Sequence, residues 1–356
     1  MAQREKIDIL FIDPPWIIES KDNIWKYVSS CLPSLGIAYI AAYLQRHDFS
    51  CKIIDCTAEG IAVDDFRKRV GSILPRFIGI TATTPLVVNG LMIARICKAI
   101  LPDARIVFGG VHPTVMPDEV LRDECVDYVV RGEGEETTRE LLAGTDPGNI
   151  LGLSYKLNGE IFHNPDRPLI EDLDSIPPPA YHLLPIEKYR PAVGSYKRLP
   201  AMSIFATRGC PGRCSFCYRI FGKRVRCRSA LRIIEEIEIL QRNYGIKEIC
   251  FYDDTLTLFD NEIKQLCSEI IARRMDLTWS CFTRLDYVSE ELLCMMKQAG
   301  CHLILFGIES GDEQILRNIN KKIDLGLAKR VISMARKIGI ETRAAGILYV
   351  WQSGGD

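Results

Sequence analysis

The chain has 356 residues, 47% hydrophobic and 26% charged, a composition that excludes a disordered or low-complexity protein and leaves room for two cores. Its 45 Lys plus Arg against 46 Asp plus Glu give a formal net charge of -1, which argues against a broad nucleic-acid footprint. The first residues, MAQREKIDILFID, lack an apolar segment followed by a cleavage site, and the most apolar helical run, 35–44, is about half the ~20 residues that span a bilayer. A cytoplasmic protein with no nucleic-acid or membrane partner is therefore expected.

Residues 1–146 alternate strand and helix. Apolar, β-branched runs at 6–13, 50–56, 77–84, 104–110 and 126–132 read as strands, and the stretches at 34–47, 62–73, 89–101 and 133–144 as helices. This alternation predicts a doubly wound parallel sheet, Rossmann-like, with its ligand beyond the carboxyl ends of the strands. The segments at that edge are rich in small and turn residues: Asp13-Pro14-Pro15, Thr81-Ala82-Thr83-Thr84, Gly109-Gly110-Val111-His112 and Gly132-Glu133-Gly134-Glu135. One such loop only ends a strand; four together describe a backbone floor for a large, flat, nucleotide-like ligand. No G-x-G-x-x-G follows the first strand and no G-x-x-x-x-G-K-[ST] occurs, so neither a dinucleotide site nor a P-loop is supported. Residues 147–200 read as a linker. They contain a hairpin around Asn158-Gly159 and the stiff Pro177-Pro178-Pro179.

Residues 201–356 carry the strongest motif. Cys210, Cys214 and Cys217 form a C-x3-C-x2-C array directly after an apolar strand. Three thiolates within eight residues can reach three irons of a cubane cluster and leave the fourth open to another ligand. A structural zinc site completed by a fourth residue such as Cys227 is the alternative, although zinc sites more often use paired C-x2-C units. Between Arg208 and Arg228 there are seven basic residues and no acidic one. That charge offsets an anionic cluster and favours an electron-donor protein or an anionic substrate; taken alone it is a solvated face. The other eleven of the 14 cysteines are expected to be structural; Cys51, Cys56, Cys97, Cys250, Cys267 and Cys301 sit in apolar patterns as small hydrophobes in a reducing compartment. Strand–helix pairs then follow: 248–254 with 261–274, 277–286 with 289–300, 302–311 with 312–320 and 325–339, and a last strand at 341–350. This is a β/α barrel pattern, with Asp253, Asp254, Arg284, Asp286, Glu309 and Ser310 at the carboxyl ends of its strands, where barrel sites are built.

C-x3-C-x-aromatic-C, with Phe216 as the aromatic, resembles the radical S-adenosylmethionine (SAM) superfamily. The phrases DPPW, PSLGIAYIAAYL, GITATTP, FGGVHPTVMP and VVRGEGEETTREL resemble its cobalamin-binding branch, and the likeness covers nearly the whole chain. It implies a cobalamin-binding Rossmann-like domain followed by a partial, TIM-like radical SAM barrel. The cofactors implied are a 4Fe-4S cluster on Cys210, Cys214 and Cys217, SAM chelating the fourth iron, and cobalamin. Phe216, Asp253, Asp254, Arg284, Glu309 and Ser310 are the implied SAM-binding residues: the carboxylates for its amino group, Arg284 for its carboxylate, Glu309 and Ser310 for its ribose or methionine. A structural ion pair in the barrel mouth is the plainer reading of these last residues. Cobalamin would be held by Pro14, Pro15, Leu35, Gly36, Thr81, Thr83, Thr84, Gly109, Gly110, His112, Gly132 and Glu133. No Asp-x-His-x-x-Gly string supplies an axial histidine, so His112 is read as ordering its loop. The reaction implied is reductive SAM cleavage to a 5′-deoxyadenosyl radical, then methylation of an unactivated carbon in a small-molecule substrate, with electrons from a flavodoxin- or ferredoxin-type donor. An oxidative cyclase or rearrangement enzyme on the same cofactors, and a truncated, non-catalytic cofactor-binding protein, are the other readings. The glycine-rich phrase expected after the fifth barrel strand is missing or replaced in GILYVWQSGGD, so either a fragment or a curtailed barrel is expected.

Overall fold

The computed structural model describes residues 4–16 and 30–347. The chain divides into two compact units, Met1–Tyr189 and Arg190–Asp356. The strands of the first are β1 (Glu5–Asp13), β2 (Cys51–Asp55), β3 (Ile73–Thr81), β4 (Arg105–Gly109), β5 (Tyr128–Val130), β6 (Leu153–Leu157) and β7 (Glu160–His163). They form one sheet in the order β2-β1-β3-β4-β5-β6-β7. β1 to β5 run parallel. Its helices are α1 (Leu35–Gln45), α2 (Cys56–Glu59), α3 (Val63–Gly71), α4 (Val87–Ile100), α5 (Val111–Val115), α6 (Pro117–Leu121) and α7 (Glu135–Leu142). The strands read as nearly continuous apolar runs because helices cover both faces of a parallel sheet; Ile9, Leu10, Ile12, Ile78, Ile80 and Phe108 are all buried.

The chain leaves β1 for β2 on one side and crosses to β3 on the other. The strand order therefore reverses between β1 and β3, the place beyond whose carboxyl ends sheets of this kind bind ligands. β3 starts at Ile73, earlier than the 77–84 expected, because it accommodates Pro75. At Pro75 the strand pairs only with β1, opposite Ile7, and pairing with β4 begins at Phe77, so the missing N–H faces no partner strand. The expected hairpin forms across Asn158 and Gly159, whose φ angles of 52° and 83° are those of an Asn-Gly turn. It adds to the first sheet rather than standing apart: β6 pairs antiparallel with β5 and covers an edge that would otherwise be open.

The second unit contains β8 (Ala201–Ile204), β9 (Thr207–Arg208), β10 (Arg226–Cys227), β11 (Glu248–Phe251), β12 (Thr278–Thr283), β13 (Cys301–Glu309) and β14 (Glu341–Gly346), with α8 (Ala230–Tyr244), α9 (Asp260–Ala272), α10 (Glu290–Gln298), α11 (Glu313–Asn318) and α12 (Leu325–Ile338). Its five-stranded parallel sheet has the order β14-β13-β12-β11-β8, chain order without a switch, as in a β/α barrel. The end of the strand expected over 341–350 lies outside the described residues. Ser229, Ser289, Asp312 and Asp324 cap the starts of α8, α10, α11 and α12 through their side chains. Trp279, fully buried in β12, donates from Nε1 to the Ala299 carbonyl at 2.8 Å and meets Phe251 edge-on. β9 and β10 form a small antiparallel ladder at the base of the cysteine loop. Cys51, Cys56, Cys97, Cys250, Cys267 and Cys301 are all buried, consistent with a packing role. Among the described residues no helix is long and apolar enough to cross a membrane.

Candidate functional site

The loop from β9 to β10 carries Cys210, Cys214 and Cys217 at the carboxyl edge of the barrel sheet. Gly209 turns the chain into it at φ 105°, and a Cβ there would lie 2.5 Å from the Arg224 carbonyl oxygen. Cys210 N donates to the Gly222 carbonyl and Arg219 Nη1 to the Gly212 carbonyl. From the far side, Ser215 N donates to the Ile319 carbonyl at 2.9 Å and Asn320 Nδ2 to the Arg213 carbonyl at 2.8 Å. The loop is thus held from both ends, as a ligand scaffold requires.

All three cysteines are free thiols; Cys210 and Cys214 are half-buried and Cys217 is exposed. Burial, with Asp254 and the other two thiols nearby, pushes the Cys217 thiol up, against a smaller lowering by Arg219. A Cβ on Gly212 would lie 3.3 Å from Cys210 Sγ, 3.9 Å from Cys214 Sγ and 3.5 Å from Arg284 Nη1. Two sulfurs and a guanidinium therefore close around a bare Cα. This donor set and this opening fit the three ligands of a 4Fe-4S cluster. Cys227, which would complete a zinc site, turns Sγ to the Arg228 carbonyl at 3.2 Å. Among the described residues no three His, Cys, Asp or Glu side chains converge on a single ion.

The polar residues at the strand ends divide into those holding backbone and those open to a ligand. Asp253 is buried, and its Oδ1 accepts from Ala206 N at 3.0 Å, from Thr207 N and from Thr207 Oγ1 at 2.6 Å, while Oδ2 is buried without a partner. Burial pushes its pKa up to about 7 against these hydrogen bonds. Asp254 is exposed. Thr255 follows, with Oγ1 3.7 Å from Cys210 Sγ. Arg284 pairs through Nε and Nη2 with both carboxylate oxygens of Asp286, at 2.9 and 2.8 Å, which leaves only Nη1 for any other acceptor. Glu309 stands at φ 72° where β13 bulges, and Lys321 reaches it at 3.1 Å. Ser310 Oγ accepts from Asp312 N, and Phe216 is exposed beside the cysteines. Thr255 and Lys321 were not singled out in the sequence, and Asp286 was marked there only as a polar residue at a strand end. Lys321 gave no signal there, because only the turn at Asn320 (φ 53°) brings it back onto Glu309.

In the first unit the four small-residue loops assemble at the carboxyl edge of the sheet. Asn89 Nδ2 donates to the Pro15 carbonyl at 2.7 Å, and Thr57 Oγ1 to the Pro14 carbonyl. Ala82 N donates to the Gly109 carbonyl, His112 N to the Ala82 carbonyl and Gly132 N to Thr114 Oγ1. Thr83 and Thr84 are exposed and Thr81 half-buried. Leu35 is buried at the start of α1, and Gly36 beside it is exposed, with nothing within 4 Å of the position a Cβ would take. His112 is buried; its Nδ1 lies 3.3 Å from Thr84 Oγ1 and its Nε2 3.6 Å from Glu119. This places it in the loop network. Glu133 is also buried, and its Oε2 accepts from Ile170 N at 2.7 Å.

At the same edge lies a group of acids that the sequence had shown only as a strand end and a turn. Asp13 and Asp55 are register partners at the ends of β1 and β2, and Tyr189 Oη donates to Asp55 Oδ2 at 2.8 Å. Burial, and then Asp55, push the Asp13 carboxyl up to about 8. Burial and the neighbouring carboxylate thus favour the protonated form of Asp13.

Comparisons with known proteins divide along the same units. A family model described as "B12 binding domain" matches residues 24–142, and one described as "Radical SAM superfamily" matches 204–350. An uncharacterized methyltransferase of Pyrococcus horikoshii is 39% identical over 347 residues, covering 96% of this chain and 73% of that protein. An anaerobic magnesium-protoporphyrin IX monomethyl ester cyclase of Rubrivivax gelatinosus is 31% identical, covering 88% of this chain and 58% of that protein. Among solved structures, the radical SAM methyltransferase TsrM of Kitasatospora setae, with cobalamin and a [4Fe-4S] cluster bound, superposes with a TM-score of 0.74 at 20% identity, over 96% of this chain and 66% of that one. OxsB, a cobalamin-dependent SAM radical enzyme with aqua-cobalamin and SAM bound, gives 0.79 at 19% identity, over 97% of this chain and 50% of that one. At these identities the superpositions establish the fold.

Proposed function

The chain belongs to the radical SAM superfamily, in the branch that carries a B12-binding domain, and we propose that it is a cobalamin-dependent radical SAM methyltransferase acting on an unactivated carbon of a small molecule. The observation that carries this reading is the opening at Gly212, with the sulfurs of Cys210 and Cys214 and the Arg284 guanidinium around it, at the carboxyl edge of a parallel barrel sheet. When bound, the cluster supplies the electron that cleaves SAM to a 5′-deoxyadenosyl radical, and cobalamin supplies the methyl group.

The residues of this chain bind and orient. Cys210, Cys214 and Cys217 hold three irons. Exposed Asp254, close enough to Cys217 to raise its pKa, suits the SAM ammonium; Arg284 Nη1 remains for a carboxylate oxygen; Phe216 offers a ring face beside the cysteines. Asp253 fixes the backbone that leads into the loop, and Glu309 with Lys321 the far side of the mouth. In the first unit the main chain at 13–15, 81–84, 109–112 and 132–133 provides a floor that a corrin approaches closely. Methyl transfer is preferred to cyclisation because the relative named a methyltransferase is 39% identical and the cyclase 31%. A flavodoxin- or ferredoxin-type donor suits the basic loop, and a cytoplasmic location its need for reduction.

Anaerobic reconstitution with iron, sulfide and hydroxocobalamin, then product analysis after reduction with SAM, tests the proposal. A methyltransferase releases both 5′-deoxyadenosine and S-adenosylhomocysteine; a cyclase releases only the first. SAM cleavage that survives Cys214→Ala would overturn the reading.

A further inference from the structure

The guanidinium of Arg284 is divided between two duties. Nε and Nη2 are occupied by the two oxygens of Asp286. The third nitrogen, Nη1, points to the opening at Gly212, so that it and the sulfurs of Cys210 and Cys214 all lie within 4 Å of the point where a Cβ would stand. Arg284 is 9% exposed, and the Cys210 thiol already contributes to the electrostatics that raise its pKa. Charges screened from water act more strongly than surface ones. Two other basic side chains of the loop are placed differently: Arg219 gives Nη1 to the Gly212 carbonyl, and Arg228 is buried against Glu236.

Reduction of a cluster held by three thiolates adds one negative charge to an anionic group. A fixed cation beside the sulfurs favours the reduced form, and hydrogen bonds to sulfur and local charge are the protein's levers on cluster potential. We propose that Arg284 sets the reduction potential of the cluster on Cys210, Cys214 and Cys217, and that Asp286 is the counter-charge fixing how much of the Arg284 charge the cluster feels. Gly212 matters to this arrangement because a side chain there would crowd all three groups, its Cβ lying 3.3 Å from Cys210 Sγ and 3.5 Å from Arg284 Nη1. The inference rests on the cluster assignment above and adds to it a role for Arg284 that precedes SAM binding.

The test is an electron-paramagnetic-resonance redox titration of the anaerobically reconstituted full chain without SAM, with iron and sulfide counted per chain. Arg284→Gln should shift the reduction equilibrium about tenfold towards the oxidised cluster, about 59 mV more negative for one electron. Asp286→Asn, which keeps the arginine and removes its counter-charge, should shift it the opposite way. Arg284→Lys should fall between wild type and Arg284→Gln. Where Arg284→Gln loads poorly, Asp286→Asn carries the test alone. A change smaller than twofold in Asp286→Asn, or shifts of the same sign in Asp286→Asn and Arg284→Gln, overturns the inference. So does a purely structural outcome, in which iron content falls but the clusters that form keep the wild-type potential. Wild-type chain that takes up no four-iron cluster overturns the cluster assignment and the inference together, whereas a normal cluster indifferent to both charges overturns the inference alone.

Discussion

Replacing Asp253 tests whether a buried carboxyl holds the entry to the cysteine loop. Its Oδ1 accepts three hydrogen bonds from Ala206 and Thr207, and its Oδ2 has no partner. Burial raises its pKa from 3.8 to about 7. A carboxyl raised in the folded state contributes most below its unfolded pKa, and that contribution is lost as pH climbs through the folded pKa. With about 1.4 kcal/mol per pKa unit, the loss is about 2 kcal/mol between pH 5 and pH 7 and about 3 kcal/mol by pH 8, where stability levels off. Asparagine keeps one accepting oxygen and does not titrate. The stability of Asp253→Asn relative to wild type should therefore improve by about 3 kcal/mol from pH 5 to pH 8. Asp253→Ala strands three buried donors at about 1 kcal/mol or more each and should be destabilised by about 3 kcal/mol beyond Asn. Amide hydrogen exchange of the 201–209 segment, corrected for the intrinsic pH dependence of exchange, reads the effect where it arises. If wild type and Asp253→Asn keep a constant difference across that range, the carboxyl does not titrate as argued.

Three further substitutions probe other parts of the site. Gly209→Ala puts a Cβ 2.5 Å from the Arg224 carbonyl oxygen at φ 105°, where both the clash and the left-handed backbone cost energy; iron bound per chain should fall by more than half, and full loading would show that the loop yields. Lys321→Met leaves the mostly buried Glu309 carboxylate unpaired, at about 3–5 kcal/mol; adding Glu309→Gln should recover most of the loss, and thermal melts of the two singles and the double that simply add would refute the pairing. Asp13→Asn removes a carboxyl that burial and Asp55 hold at about 8. Because a raised carboxyl loses its contribution as pH rises, the variant should gain melting temperature relative to wild type between pH 6 and pH 9, and parallel curves would count against a raised Asp13 carboxyl.

The layout of both units is legible in the sequence because each strand and helix carries its own signal. Buried parallel strands such as 6–13 and 104–110 are short, apolar and β-branched, and the cysteine array has a spacing with few structural alternatives. The first sheet departs from expectation where the signal is not local. Pro75 reads as a strand breaker until the register shows that its nitrogen faces no neighbour. The hairpin at 153–163 reads as part of a connector because pairing with β5 is a long-range event.

The site residues divide by the same physics. A polar residue at the carboxyl end of a barrel strand is ordinarily read as a ligand contact, but position alone does not say whether its oxygens are already occupied. Pairing of Phe251 with Ile204 carries Asp253, two residues on, to Ala206, so that its Oδ1 is occupied by the backbone of the neighbouring strand before any ligand arrives. Glu309 meets Lys321, Glu133 meets Ile170 N, and Arg284 has two of its three nitrogens on Asp286. Each of these groups is charged or titratable and removed from water, and such groups persist only where partners compensate their desolvation. The residues left open, Asp254, Phe216, Arg284 Nη1 and the three thiols, all lie at or beside the cysteine loop. The charged groups that the sequence assigned to ligands thus include a rigid frame in each unit, and in the second unit Asp253 holds the backbone that leads into the cysteine loop. Rigid support of that kind is what three ligands on a single loop need to keep one separation before the cluster we propose for them is bound.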